Sequence, residues 1–220
     1  MKYLINTIYS CIQGEGVQAG IPMMLVRLQG CGVACPWCDT KETWEINSDY
    51  RVNTIFEAQQ NPLSYVELHQ SEIVKYIDDT FPAITWILLT GGEPAEQELK
   101  PLVDALHDAK FKVALETSGT AYFEADLDWV CVSPKINMPG GKVVLSEVLQ
   151  LADEIKMVIG KRKDIDLLDD LIFNNQLKSN VQILLQPVSQ SEKATQLCLS
   201  TVMERNWRLS LQIHKYLSLP

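Results

Sequence analysis

The chain has 220 residues, 46% of them hydrophobic, enough for one substantial core, and a single domain over 1–220 is expected. A net charge of −9 argues against a nucleic-acid binder, because neutralising phosphates takes clustered Lys and Arg. No apolar run approaches the roughly 18 residues of a membrane span, and the start, Met1-Lys2-Tyr3-Leu4-Ile5-Asn6, lacks the apolar stretch of a signal peptide.

The first strand expected is the apolar run over 22–28. Directly behind it stand Cys31, Cys35 and Cys38, spaced C-x₃-C-x₂-C. Six cysteines with no secretory signal predict a reducing cytoplasm, where clustered thiols bind metal more often than they pair. Cys11, Cys131 and Cys198 lie among apolar neighbours and read as packing residues. Residues 45–70 are polar with weak periodicity and read as an insertion.

From there short β-branched runs alternate with helical periods. Strands are expected over 84–89, 111–116, 129–133, 154–159 and 181–186, and helices near 70–80, 95–109, 142–152, 164–178 and 190–205. Leu99, Leu102, Val103 and Leu106 mark one buried helix face. The alternating stretch 207–214 reads as a last strand. Strand alternating with helix implies parallel strands joined by right-handed crossovers. About six such units are too few for a closed eightfold barrel, so an α/β fold with a partial, open (βα) barrel is expected. In such folds chemistry gathers at the carboxyl ends of the strands, and the polar segments at 31–40, 91–94, 116–119, 133–135 and 186–189 follow that rule.

Three thiolates with no obvious fourth partner carry the chemical reading. A structural zinc site is closed by four ligands. A [4Fe–4S] cluster held by three cysteines leaves one iron open to substrate or cofactor. The zinc alternative needs a fourth ligand from His69, His107 or His214, which lie in unrelated segments. Thr90-Gly91-Gly92-Glu93-Pro94 is either a tight turn or a place where backbone groups meet a ligand, with Glu93 near a cationic ammonium.

The cysteine loop followed by Gly-Gly-Glu-Pro resembles the radical S-adenosylmethionine superfamily. Further segments narrow the likeness: Ile12-Gln13-Gly14-Glu15-Gly16, Arg27-Leu28-Gln29-Gly30-Cys31, Trp37-Cys38-Asp39-Thr40, Glu116-Thr117-Ser118-Gly119-Thr120, Ser133-Pro134-Lys135, Leu185-Gln186-Pro187 and Gln212-Ile213-His214-Lys215. In this order they resemble the 7-carboxy-7-deazaguanine synthases of enterobacterial type, over nearly the whole chain.

That resemblance implies a lyase of queuosine and 7-deazapurine biosynthesis. It would convert 6-carboxy-5,6,7,8-tetrahydropterin to 7-carboxy-7-deazaguanine, with ring contraction and loss of ammonia. It implies a [4Fe–4S] cluster on Cys31, Cys35 and Cys38, S-adenosylmethionine as a cofactor, and Mg²⁺ on the oxygen of Thr40, with Asp39 as competing donor. By the same resemblance, Ile12, Gln13, Gly14, Arg27, Thr90, Glu116, His214 and the terminal Pro220 would contact the pterin. Gly92, Ser133, Pro134, Lys135, Gln186 and Pro187 would contact S-adenosylmethionine. A flavodoxin-like electron donor and a homodimer are also implied, with no nucleic-acid or membrane partner. Two other readings stay open: an activase of a glycyl-radical enzyme, which shares the cysteine spacing, and a non-catalytic zinc-binding module.

Overall fold

A computed structural model describes residues Met1 to Leu217, apart from the side chain of Gln190. The chain opens with β1 (Lys2–Ile12) and β2 (Pro22–Leu28), and continues through β3 (Arg51–Val52), α1 (Ile55–Ala58), β4 (Tyr65–His69), α2 (Gln70–Thr80), β5 (Trp86–Gly91) and α3 (Lys100–Asp108). It then runs through β6 (Lys112–Thr117), β7 (Trp129–Val132), α4 (Ser146–Leu149), β8 (Glu154–Ile159), α5 (Arg162–Asn174), β9 (Gln182–Pro187), α6 (Glu192–Arg205), β10 (Arg208–Leu209) and α7 (Ile213–Leu217). These strands form one ten-stranded sheet in the order β10-β9-β8-β7-β6-β5-β2-β1-β4-β3. From β2 to β10 every pairing is parallel. The six expected strands are therefore all present, and the two-residue β10 adds a short seventh.

Period-two alternation divides the sheet into two faces. Met24, Val26 and Leu28 of β2, Ile87 and Leu89 of β5, Val113 and Leu115 of β6, and Ile155 and Ile159 of β8 join the main core. There they meet Ile73 and Ile77 of α2, Leu102, Val103 and Leu106 of α3, and Ile165 and Leu168 of α5. Each such side chain contributes roughly 1.5–3 kcal/mol on burial. On the other face a small patch of Met23, Leu25, Leu88 and Ala114 gives way to polar residues towards the carboxyl ends.

The sheet curls around that second face. A flat sheet with about 4.8 Å between neighbours would hold β1 and β8 more than about 20 Å apart. Instead Val17, in the loop after β1, donates its N–H to Glu154 Oε2 of β8 at 2.9 Å. Gly16 likewise donates to Ser210 Oγ, just past β10, at 3.0 Å. The result is the open half-barrel expected from the element pattern.

Several expectations change. β1 falls outside the expected strands; it pairs antiparallel with β2 on one side and β4 on the other. Residues 45–70, read as an insertion, carry β3, α1 and the whole of β4, and extend the sheet beyond β1. The helix expected over 95–109 starts only at Lys100, behind a 3₁₀ turn at Pro94–Glu96. Gln97 interrupts it: its Nε2 donates to the carbonyls of Leu4 and Gln29, and its Oε1 accepts from the N–H of Leu4. The helix over 142–152 shrinks to Ser146–Leu149, because the N–H of Leu145 is taken by the carbonyl of Gly119 at 2.8 Å. The last strand, read over 207–214, ends after Leu209, and Ile213–Leu217 is helical. Ser210 turns the chain there, donating its hydroxyl to Gln186 Oε1 at 2.8 Å. No helix among the described residues is long and apolar enough to cross a membrane.

Candidate active site

The alternation that sends Val26, Leu89, Leu115 and Ile155 to the helices sends Arg27, Thr90, Glu116 and Lys156 to the concave side. Arg27 lies opposite Thr90 in the β2–β5 ladder, and Glu116 lies beside Cys131 of β7, which in turn faces Glu154 of β8. Arg27, Thr90, Glu116 and Lys156, together with Gln186 of β9, line a cavity of about 490 Å³ at the carboxyl ends of the strands.

The cysteine loop forms one wall. It is anchored at its root, where the N–H of Gly30 donates to Thr43 and that of Cys31 to Trp44. The buried amide of Gln29 donates to the carbonyls of Glu42 and Glu45. Ala34 takes a left-handed conformation (φ 57°), a strained turn for a residue with a side chain, and Cys38 donates its N–H to the carbonyl of Cys35. Cys31, Cys35 and Cys38 all line the cavity. Burial pushes the Cys31 thiol up to about 11 and raises Cys35 as well, so loading a metal must displace these protons. Thr40 follows, its N–H donating to Cys38 Sγ at 3.4 Å and its hydroxyl 3.6 Å from the same sulfur.

This donor set fits an iron–sulfur cluster with one free iron. Cys31, Cys35 and Cys38 share one loop at the cavity, whereas Cys11, which also borders it, stands apart on β1. Among the described residues no three Cys, His, Asp or Glu side chains converge as ligands of a single metal ion, as a closed zinc site would require. Two histidines weighed as a fourth zinc ligand are engaged elsewhere. His69 caps α2 and His107 lies 3.0 Å from Asp128. His214 reaches the cavity through a different wall.

The Gly-Gly-Glu-Pro segment runs beside the cysteine loop at close quarters. Gly91 has φ 121°, a conformation few other residues adopt. Gly92 donates its N–H to Leu28, and Glu93 donates its own to Gly30. Glu93 does not stand free for an ammonium, as the motif alone led us to expect. It is buried, and its Oε1 accepts from the Thr117 hydroxyl at 2.6 Å and the Ala95 N–H at 3.1 Å. Its Oε2 accepts from the Ser118 N–H at 2.7 Å and from the Ser118 hydroxyl. With two donors on each oxygen, the carboxylate staples the loop after β5 to the loop after β6.

Deeper in the cavity lies a buried charge cluster. Lys156 Nζ is 2.8 Å from Glu15 Oε2 and 2.8 and 2.9 Å from the two oxygens of Glu116. Desolvation alone would raise the Glu15 carboxyl; attraction and a hydrogen bond from Lys156, with help from Gln212 and His214, draw it down to about 2. Glu116 goes the other way: its desolvation, with the repulsion of Glu15 and Glu154, outweighs Lys156 and raises it. Both carboxylates share one ammonium, but Glu116 is fully desolvated beside Glu15 and Glu154, whereas Glu15 also gains from Gln212 and His214.

The carboxyl-terminal segment closes this end. Ile213 donates its N–H to the carbonyl of Gly14 at 2.9 Å, and a β-carbon on Gly14 would come within 2.5 Å of His214 Nδ1. Lys215 Nζ reaches Asp39 at 3.6 Å, so this segment touches both the Gly14 loop and the cysteine loop.

The structure brings Ile12, Gln13, Gly14, Arg27, Thr90, Gly92, Glu116, Ser133, Lys135, Gln186, Pro187 and His214 around the same cavity as the three cysteines and Thr40. Lys135 folds back onto Ser133, its Nζ 3.0 Å from the carbonyl and 2.5 Å from the hydroxyl. Pro134 is buried and does not line the cavity; it turns the chain so that its two neighbours do. Pro220 lies outside the described residues. Cys11, read as packing, also borders the cavity, whereas Cys131 and Cys198 are buried. Sequence reasoning passed over Glu15 and Lys156. The signal was a lysine at the third position of the apolar strand Glu-Ile-Lys-Met-Val-Ile, on the same face as Glu154.

Residues 12–136 match the family model described as a 4Fe-4S single cluster domain. The 7-carboxy-7-deazaguanine synthase of Escherichia coli (strain K12) is 41% identical over 222 residues, covering 100% of both chains. That of Buchnera aphidicola subsp. Schizaphis graminum is 37% identical over the same coverage, and that of Synechocystis sp. 31% over 99% of this chain and 93% of its own. The crystal structure of QueE from Escherichia coli superposes with a TM-score of 0.92 at 40% identity, covering 97% of this chain and 95% of that one.

Proposed function

This chain belongs to the 7-carboxy-7-deazaguanine synthases, radical S-adenosylmethionine enzymes, and on that footing we propose that it converts 6-carboxy-5,6,7,8-tetrahydropterin to 7-carboxy-7-deazaguanine with loss of ammonia, on the route to queuosine. The observation that carries this reading is one cavity walled on one side by Cys31, Cys35 and Cys38 and on the other by Gln13, Arg27, Glu116 and His214. An activase that acts on another protein has no use for a small-molecule wall of that kind.

Cys31, Cys35 and Cys38 would hold the [4Fe–4S] cluster. The cluster and S-adenosylmethionine, when bound, supply the one-electron chemistry that starts the rearrangement. The backbone at Gly92, with Ser133, Lys135, Gln186 and Pro187, would seat S-adenosylmethionine between the cysteine loop and the β7 and β9 ends. Arg27 carries a planar fork suited to a carboxylate, steadied by the Tyr9 hydroxyl at 3.3 Å. Gln13 presents a donor and an acceptor to the pterin edge, and its Oε1 accepts from the Glu15 N–H at 3.1 Å, which fixes its orientation. Ile12, Gly14, Thr90 and His214 complete the pterin side.

Thr40 rather than Asp39 would hold Mg²⁺: both border the cavity, but the Asp39 carboxylate is exposed and lies 3.6 Å from Lys215. A threonine supplies one hard oxygen, so the ion would take the rest from substrate and water. A flavodoxin-like donor would dock where the exposed Trp37 brings the cysteine loop to the surface. Homodimer assembly and a single catalytic domain follow the family likeness. The test is anaerobic incubation of reconstituted protein with the pterin, S-adenosylmethionine, dithionite and Mg²⁺. Mass spectrometry should find 7-carboxy-7-deazaguanine; uncoupled cofactor cleavage without that product would reject the assignment.

A further inference from the structure

Lys156 is the most deeply buried cation of the cavity, its side chain 3% exposed in the middle of β8. Its ammonium lies 2.8 Å from Glu15 Oε2 and 2.8 and 2.9 Å from the two oxygens of Glu116, so it is turned to these carboxylates rather than to a ligand. Carboxylates surround it, Glu15 in the loop after β1, Glu116 on β6 and Glu154 on its own strand, with the buried Cys131 thiol on β7 and His214 near Glu15.

The two carboxylates it holds differ in what remains. Glu15 is tied on both sides, its other oxygen accepting from Gln212 Nε2 at 2.8 Å. Glu116 faces the cavity with acceptor capacity to spare, its one further donor being Gln13 at 3.5 Å. A carboxylate so placed recognises an edge of N–H donors, such as the 2-amino pyrimidinone edge of a pterin.

We propose that Lys156 is a positioning residue that keeps Glu116 ionised and aimed into the cavity, and that through Glu15 it locks the Gln13–Gly16 loop in its ligand-reading conformation. Lys156 thereby sets affinity for the pterin without touching it. The inference rests on the proposed pterin reading of the cavity. Without the ammonium, Glu116 would be a desolvated carboxylate beside Glu15, Glu154 and Cys131, and it would take up a proton.

The test is calorimetric binding of the pterin to oxidised, cluster-loaded protein, which needs no turnover, for the wild type, K156M, K156R, E116Q and K156M/E116Q. K156M should raise Kd roughly tenfold or more near neutral pH. Its affinity should recover as pH rises and Glu116 ionises, while the wild type stays flat over the same range. K156R, which keeps the charge, should restore part of the affinity. In the E116Q background K156M should add little, because both changes remove the same acceptor. Iron content should match the wild type in every variant. A K156M protein that folds, binds as the wild type does and shows the same pH profile overturns the inference, as do losses in K156M and E116Q that multiply. If K156M fails to fold, K156R and E116Q decide: E116Q binding as tightly as the wild type overturns it. Wild-type protein that does not bind the pterin removes both this inference and the functional reading, whereas wild-type binding with an indifferent K156M removes this one alone.

Discussion

A β-carbon placed on Gly92 would stand 2.0 Å from the carbonyl oxygen of Gly30 and 2.6 Å from its carbon, so the loop after β5 touches the root of the cysteine loop backbone to backbone. Neither partner is a flexible side chain that could move aside. G92A should therefore push the two loops apart. We expect a loss of about 1–3 kcal/mol in urea denaturation, together with a marked fall in iron bound after reconstitution. Unchanged stability and iron content would show that the loops tolerate separation.

Glu93 makes the second tie between strand-end loops. E93Q keeps one carbonyl oxygen but turns an amide NH₂ towards hydroxyl or N–H donors of Thr117, Ser118 or Ala95. Losing charge-assisted bonds and creating a donor–donor clash should cost roughly 2–4 kcal/mol. The denaturation midpoint reads it directly, and a midpoint equal to the wild type would remove Glu93 from the scaffold.

The cysteine assignment has a plain chemical readout. C35A should deprive one iron of its ligand, abolish the brown absorbance of reconstituted protein and abolish reductive cleavage of S-adenosylmethionine. Retention of either would count against a cluster held by Cys31, Cys35 and Cys38.

T40A separates metal from cluster. It should leave absorbance and iron content at wild-type levels while weakening the Mg²⁺ dependence of product formation. An unchanged Mg²⁺ titration in T40A would return the assignment to Asp39.

Acid should act through Glu15. Its carboxyl lies at about 2 in the folded protein, against 4.5 when unperturbed. A depressed value of this kind stabilises the fold above the unfolded value and is lost as pH falls through the folded one. The contribution, on the order of 3 kcal/mol, is thus complete above about pH 4.5 and disappears towards about pH 2. E15Q should be less stable than the wild type near neutrality, and the gap in denaturation midpoints should close on acidification. A gap that holds constant across that range would mean that Glu15 gains nothing from Lys156.

Short-range chemistry was readable from the chain alone. The spacing of Cys31, Cys35 and Cys38, the Gly91–Gly92 pair after an apolar strand, and the strand–helix alternation each follow from local requirements of ligand geometry or backbone freedom. They placed the six main parallel strands, the half-barrel and the cluster wall. Patterns that depend on a distant partner were not readable. β1 is a strand because β2 and β4 flank it, Gln97 breaks a helical period because Leu4 and Gln29 need its amide, and Ile213–Leu217 coils because Gly14 accepts its first N–H. The same holds for two acid groups of the site. Glu93 looked free and is saturated; Glu15 looked ordinary and is bound to a lysine 141 positions away. Period and spacing fix which face a side chain takes, but the charge it meets there is decided only when the sheet curls and brings the ends of β1, β6 and β8 together.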